Sequence, residues 1–170
     1  MLWVIDGYNV IRRDPDLRLR EAESLEAGRR ALVHLVIQAA RTLPRDEFVI
    51  VFDGARIGDA APPRGRVRIV FSRPPETADD VVRRLGSVAG SVVVSSDRAV
   101  QHAARRARAA VVDAETFVAR AARAVERAAL DSPGAPRDDD AADRPSTKRG
   151  NPRRLSKKAR AAARVMKRLR

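Results

Sequence analysis

Four short apolar runs in this chain each lead into acidic residues. Residues 2–5 run into Asp6-Gly7-Tyr8-Asn9, and residues 48–52 into Asp53-Gly54. Residues 67–71 are followed by Glu76-Thr77-Ala78-Asp79-Asp80, and residues 92–94 by Ser95-Ser96-Asp97. If the runs are parallel strands of one sheet, their C-terminal ends share an edge, and ligands of open α/β sheets bind at that edge. Carboxylates gathered there repel one another unless a cation lies among them. The recurring acid is therefore the mark of a metal site. All-oxygen ligands favour hard cations such as Mg²⁺ or Mn²⁺. Such ions lower the pKa of bound water and neutralise charge building on phosphate oxygens.

Each acid also has a plainer explanation. Asp6-Gly7 and Asp53-Gly54 read as turn dipeptides. Asp97 suits the N-cap of a helix starting at Arg98. Thr77 with Asp80 three residues later resembles a capping box, with Asp in place of Glu or Gln. Each reading is sufficient for its acid taken singly; the joint pattern, with every acid on one edge, favours a site. The capping argument also separates neighbours. If Asp80 is held by the backbone amides of the helix start, Asp79 is the freer carboxylate and the better ligand, with Asp80 in support. Asn9 is uncharged and suits orienting Asp6 or a water, or fixing its own loop. Asp53 is ligand, support or turn.

The elements that must position these residues follow from periodicity. Strands are expected at 2–6, 48–53, 67–71 and 92–95, with a short fifth at 110–112. Apolar spacing of three and four predicts a helix over 21–42, closed by Pro44, with others at 77–87, 98–109 and 114–129. Residues 54–66, with Pro62-Pro63 and glycines, read as a loop. Strands alternating with helices predict βαβ units and a mostly parallel sheet.

The chain has 170 residues, enough for one domain and an appendage, and a 44% hydrophobic content can build its core. Residues 1–143 hold 23 arginines and all 22 acids, whereas residues 144–170 hold 12 lysines and arginines and no acid. A near-neutral body thus carries a polycationic tail, which suits nucleic acid or an acidic membrane surface. Residues 131–147 have linker composition, with Pro133, Gly134, Pro136 and Pro145 among them. Residues from about 156 onward regain helix formers and read as a basic helix. With no cysteine there are no disulfides and no thiolate metal ligands. Asp6 interrupts the first apolar run too early for a secretion signal, and no stretch approaches the roughly 20 apolar residues of a membrane span. The expectation is a soluble, cytoplasmic protein without membrane partners.

Other motifs are weak. His34 reads as core or interface and His102 as a solvated face. Tyr8 could stack on a base or merely pack, and Arg56, Arg64, Arg66, Arg68 and Arg73 could grip a backbone. Ser95 and Ser96 lack a partnered histidine, and no phosphate-cradling glycine motif is present. An Asp-x-Asp phosphatase would need an acid where Tyr8 stands. An acidic metal pocket facing a basic tail points to phosphodiester hydrolysis.

Asp6-Gly7-Tyr8-Asn9-Val10-Ile11, Val51-Phe52-Asp53, Glu76-Thr77-Ala78-Asp79 and Ser96-Asp97 with Gln101 together resemble the YacP-like branch of the NYN domain family, over residues 1 to about 105. These are PIN-like ribonucleases. The resemblance implies a PIN-like three-layer α/β/α fold and Mg²⁺- or Mn²⁺-dependent endonuclease chemistry on RNA, with a ribosome-associated mRNA endonuclease as the branch's model. Asp6, Asp79 and Asp97 match the acidic positions, with Asn9 their polar neighbour and Asp53 and Asp80 in support. In that reading water attacks phosphorus in line, leaving a 5′-phosphate and a 3′-hydroxyl. Residues 1–130 are then the nuclease domain, 131–147 a linker and 148–170 an RNA-binding tail with Lys148, Arg149, Arg153, Arg154, Lys157 and Lys158. Tyr8, Arg56, Arg64 and Arg66 would contact RNA from the domain. The alternative is a non-catalytic RNA- or ribosome-binding factor, in which the acids only cap and turn.

Overall fold

The computed structural model describes residues 1–54 and 65–130. Their elements run β1 (Leu2–Asp6), α1 (Gly7–Arg13), α2 (Pro15–Glu23), α3 (Leu25–Thr42), β2 (Glu47–Phe52), β3 (Val67–Phe71), α4 (Ala78–Gly86), β4 (Val92–Val94), α5 (Arg98–Arg106), β5 (Ala110–Val112) and α6 (Ala114–Leu130). The strands form one sheet in the order β3-β2-β1-β4-β5, and every pairing is parallel.

Alternation along the strands divides the core in two. Trp3, Ile5, Phe48, Ile50, Phe52, Val92 and Val94 face one layer of helices, where Ile11, Leu32, Val36 and Phe117 pack on them. Val4, Val49, Val51 and Val93 face the other, against Val81, Val82, Val100 and Ala104. Successive side chains of a strand point to opposite faces, so a sheet covered on both faces reads as continuous apolar runs. The result is a three-layer α/β/α fold, as expected, with a sheet that is parallel throughout its described strands. The chain leaves β1 towards β2 and β3, then returns to the other side of β1 with β4 and β5. The reversal falls between β1 and β4, the place where such sheets open a crevice at their C-terminal ends.

The first connection departs from expectation. Residues 7–13 and 15–23 are helical where no element was expected before residue 21, and the helix anticipated over 21–42 is divided at Ser24 between α2 and α3. The breaks are N-caps. The Asp14 carboxylate accepts from the Asp16 and Leu17 amides at 3.1 and 3.0 Å, with Pro15 in the first helical position. Ser24 Oγ accepts from the Ala27 amide at 3.0 Å. These are ordinary helix-start signals. They were masked because α2 buries little besides Leu17, so it shows no apolar stripe. At the other end, α5 stops at Arg106 because Arg108 takes a left-handed backbone, φ 63°.

Candidate active site

Asp6 is the last residue of β1 and the N-cap of α1, so the backbone passes from strand to helix at the acid itself. Gly7 is therefore a helix residue, not the second half of a turn. It must be glycine because a Cβ there would lie 2.4 Å from a ring carbon of Phe52 and 2.8 Å from the Val51 carbonyl oxygen. Asp6 is 8% exposed. Its carboxylate accepts from the Asn9 amide at 3.3 Å and from Ser95 Oγ at 3.0 Å. Register explains the second contact: Ile5 pairs with Val94, which puts Ser95 beside Asp6 across the two strands.

Ser95 and Asn9 then tie Asp97 to this centre. Ser95 Oγ accepts from the Asp97 amide at 3.1 Å, and Asn9 Oδ1 accepts from the Ser96 amide at 2.7 Å. Asp97 caps α5, accepting from the Ala99 and Val100 amides at 2.7 and 3.0 Å. Gln101 Nε2 donates back to the Ser95 carbonyl at 2.7 Å.

On the far side of β1, Phe52 pairs with Phe71, so Asp53 and Ser72 leave their strands side by side. Ser72 Oγ donates to Asp53 at 2.6 Å, and the amide of Ala78, first residue of α4, reaches the same oxygen at 3.4 Å. The Thr77–Asp80 capping box is present in both directions. Asp79 takes no part in it and contacts Arg83 at 3.5 Å. Asp6, Asn9, Asp53, Asp79 and Asp97 line one cleft of about 680 Å³.

Electrostatics mark the same group. Burial pushes the Asp6 carboxyl above its ordinary pKa against the hydrogen bonds from Ser95 and the Asn9 amide, and Asp79 and Asp97 add repulsion. Burial also raises Asp79, opposed by Arg83 and reinforced by Asp97, Asp80 and Asp53. Asp80 is held low by its hydrogen bonds with Thr77. Among the described residues no group of three or more His, Cys, Asp or Glu is drawn together closely enough to form a ready metal cage. The donor chemistry nonetheless fits a divalent cation: the ligands are oxygens, and their charges repel across the cleft, a repulsion that a cation relieves.

Asp6, Asp53, Asp79 and Asp97 thus converge, with Asp6 and Asp97 also serving as N-caps, whereas Asp80, expected in support, is taken up by the capping box and does not line the cleft. Tyr8 lines the cleft too. Arg66 does not reach it. Its guanidinium donates to the Ala40 carbonyl at 2.9 Å and to the Pro44 carbonyl, at the end of α3, because it precedes β3 and so sits at the opposite sheet edge. His34 and His102 are exposed, His34 hydrogen-bonding Gln38 rather than packing in the core. Arg56, Arg64 and the tail residues Lys148, Arg149, Arg153, Arg154, Lys157 and Lys158 lie outside the described residues. Sequence reasoning overlooked Ser95 as the Asp6 partner, and Arg12 and Arg13 on the cleft wall. The signal for the arginines was there: once residues 7–13 are helical, Tyr8 and Arg12, and Asn9 and Arg13, are four apart on one face.

A wholly parallel α/β/α sheet with its acids at the reversal of strand order is the architecture of a PIN-like nuclease domain. The chain belongs to the YacP-like NYN domain family, whose model matches residues 3–167, well beyond the stretch of motifs. NYN domains are PIN-like nucleases, so this is a nuclease-type protein with RNA-related chemistry. The solved structures it resembles include two of Rae1 (YacP) from Bacillus subtilis. A mutant form is 24% identical with a TM-score of 0.62, covering 76% of this chain and 79% of that one. The other form is 25% identical with a TM-score of 0.61, covering 75% and 79%. No curated protein sequence matches the chain.

Proposed function

We infer that the protein is an endoribonuclease that uses Mg²⁺ or Mn²⁺ to hydrolyse RNA phosphodiester bonds in the cytoplasm, with mRNA on the ribosome as its setting. The observation that carries this reading is the gathering of Asp6, Asp79 and Asp97 on one cleft, with Asp6 and Asp79 both raised by burial and mutual repulsion. Asp6, Asp79 and Asp97 are the residues that would hold the cation, supported by Asp53. Bound there, it supplies charge neutralisation at phosphate and a more acidic water.

The chain's own residues do the rest. Ser95 and the α1 amide hold the Asp6 carboxylate in one orientation, and Asn9 and Ser95 hold the segment carrying Asp97 against it. The Ser72 hydroxyl keeps Asp53 turned towards the start of α4. Asp80, absorbed by Thr77, leaves Asp79 as the carboxylate of that pair facing the cleft. Residues 144–170 supply a polycation that retains the strand, with Lys148, Arg149, Arg153, Arg154, Lys157 and Lys158 among its contacts.

The test is cleavage of a 5′-labelled RNA panel in Mn²⁺, Mg²⁺ or EDTA, with and without ribosomes, comparing wild type with Asp79→Asn. Metal-dependent cutting that Asp79→Asn abolishes is the expected result. Tight, salt-sensitive RNA binding with no cutting in any condition would leave a non-catalytic RNA-binding factor instead.

A further inference from the structure

An anionic strand entering an acidic cleft needs cations at its mouth. Among the described residues the cations lining this cleft are Arg12 and Arg13, in the last turn of α1. Arg12 is placed by an aromatic ring. Its guanidinium carbon lies 5.2 Å from the centroid of Tyr8, the residue one turn earlier. Tyr8 is itself held. Arg29 Nε donates to its hydroxyl at 2.8 Å, with Nη2 donating to the same oxygen. The Phe52 ring meets the Tyr8 ring edge-on at 5.3 Å. Arg29 also packs over Phe52 and Phe71, 5.6 and 5.2 Å from their centroids.

The two arginines beside Tyr8 differ in what they have free. Arg29 is half-buried and committed to the tyrosine hydroxyl. Arg12 has a side chain 65% exposed, and its ion-pair partner, Glu21, is 3.5 Å away. At that length the contact leaves Glu21 Oε1 without a hydrogen bond. Glu21 is only 17% exposed, so it keeps its need for Arg12; the contact runs through Nε, and a phosphate can take the outer N–H edge of the exposed guanidinium with Glu21 still in place. A guanidinium can lie against a ring while its N–H edge grips phosphate oxygens in pairs.

We propose that Arg12, held over Tyr8 and through it by Arg29, is a clamp for the RNA backbone on the α1 side of the acidic centre, with Tyr8 as its positioning residue. For its choice of ligand the proposal rests on the reading of the cleft as an RNA-cleaving site. Arg12 carries the phosphate contact. Tyr8 restricts where the guanidinium can go, so less freedom is lost on binding.

The experiment is affinity for a short single-stranded RNA oligonucleotide in EDTA, across a salt series, with the full chain. Arg12→Ala should weaken binding on the order of tenfold, the loss of one charge-assisted contact, and lower the salt slope by about 0.7. Arg12→Lys should restore the slope but not the whole affinity. Tyr8→Phe keeps the ring and its contact with Phe52 but loses the hydroxyl bond to Arg29, so it should weaken binding by less than Tyr8→Leu does. Adding Tyr8→Leu to Arg12→Ala should cost nothing more, because both remove one interaction. Wild-type affinity and slope in Arg12→Ala would overturn the clamp, and additive losses in the double variant would overturn the role of Tyr8. Because EDTA suppresses cleavage, the two readings separate. An Arg12 effect without nuclease activity in metal would sink the nuclease alone. Metal-dependent cleavage with no Arg12 effect would sink the clamp alone.

Discussion

Asn9→Ala isolates the tie between the two halves of the site. Asn9 sits in α1, yet its side-chain oxygen accepts the Ser96 amide at 2.7 Å, next to Asp97. A hydrogen bond of this kind contributes about 0.5–1.5 kcal/mol net, and a partly buried amide left without its acceptor costs about 1–3 kcal/mol. Alanine recovers at most about 0.7 kcal/mol through helix propensity. The expected net loss is about 1–2 kcal/mol, or roughly 2–8 °C in melting temperature for a chain of this size. Trp3 is the single tryptophan and fully buried, so its emission reports unfolding directly. The catalytic effect should exceed the stability effect. A 1 Å misplacement of a catalytic group costs up to about 100-fold, so cleavage should fall towards that range while RNA affinity holds. A variant with unchanged melting temperature and wild-type cleavage would refute the reasoning that Asn9 positions Asp97.

Three further outcomes follow from the same geometry. Gly7→Ala drives a Cβ into Phe52 and the Val51 carbonyl, which should cost about 1–3 kcal/mol, read as a lower urea midpoint by Trp3 fluorescence; an unchanged midpoint would contradict the packing. Asp6→Asn keeps an oxygen for the helix cap but removes a carboxylate whose pKa burial raises. A raised folded-state pKa means that stability present below the unfolded value of 3.8 is lost as pH climbs from there through the folded value. The variant should therefore be more stable than wild type at neutral pH, with the gain vanishing on acidification below that value, and should lose cleavage; thermal melts across pH check the sign. Deleting residues 144–170, which hold 12 cations, should flatten the salt dependence of RNA binding. If the tail meets about 6–10 phosphates, wild type loses about 10³–10⁵ in affinity between 50 and 200 mM salt, and an undiminished slope in the truncation would refute the tail's role.

Much of the scaffold was legible because burial on both faces of a parallel sheet leaves a direct trace. The runs around Val4, Val49 and Val93 are apolar throughout, and each appears as a strand within a residue or two of its expected bounds. The Thr77–Asp80 box was legible because a capping box is local, carried by residues three apart. The helices at 7–23 were not, since one short helix and one with a single buried leucine carry too few apolar positions to show a period. With α1 unseen, Arg12 and Arg13 had no address.

The sequence by itself determined the alternation of strands and helices, the acids at strand ends and the polycationic tail, because each depends on residues close together along the chain. Only the tertiary structure decided which acids share a cleft, that Ser95 and Asn9 tie Asp6 to Asp97, and that Arg66 sits at the wrong edge. Those facts depend on strand order and register. Asp6 lies 89 residues from Ser95, yet beside it across the sheet. Nothing in either segment records the other; pairing of β1 with β4 brings them together. Proximity across a sheet follows from the minimum of the whole chain's free energy, and the distance between a carboxylate and its partner is settled there.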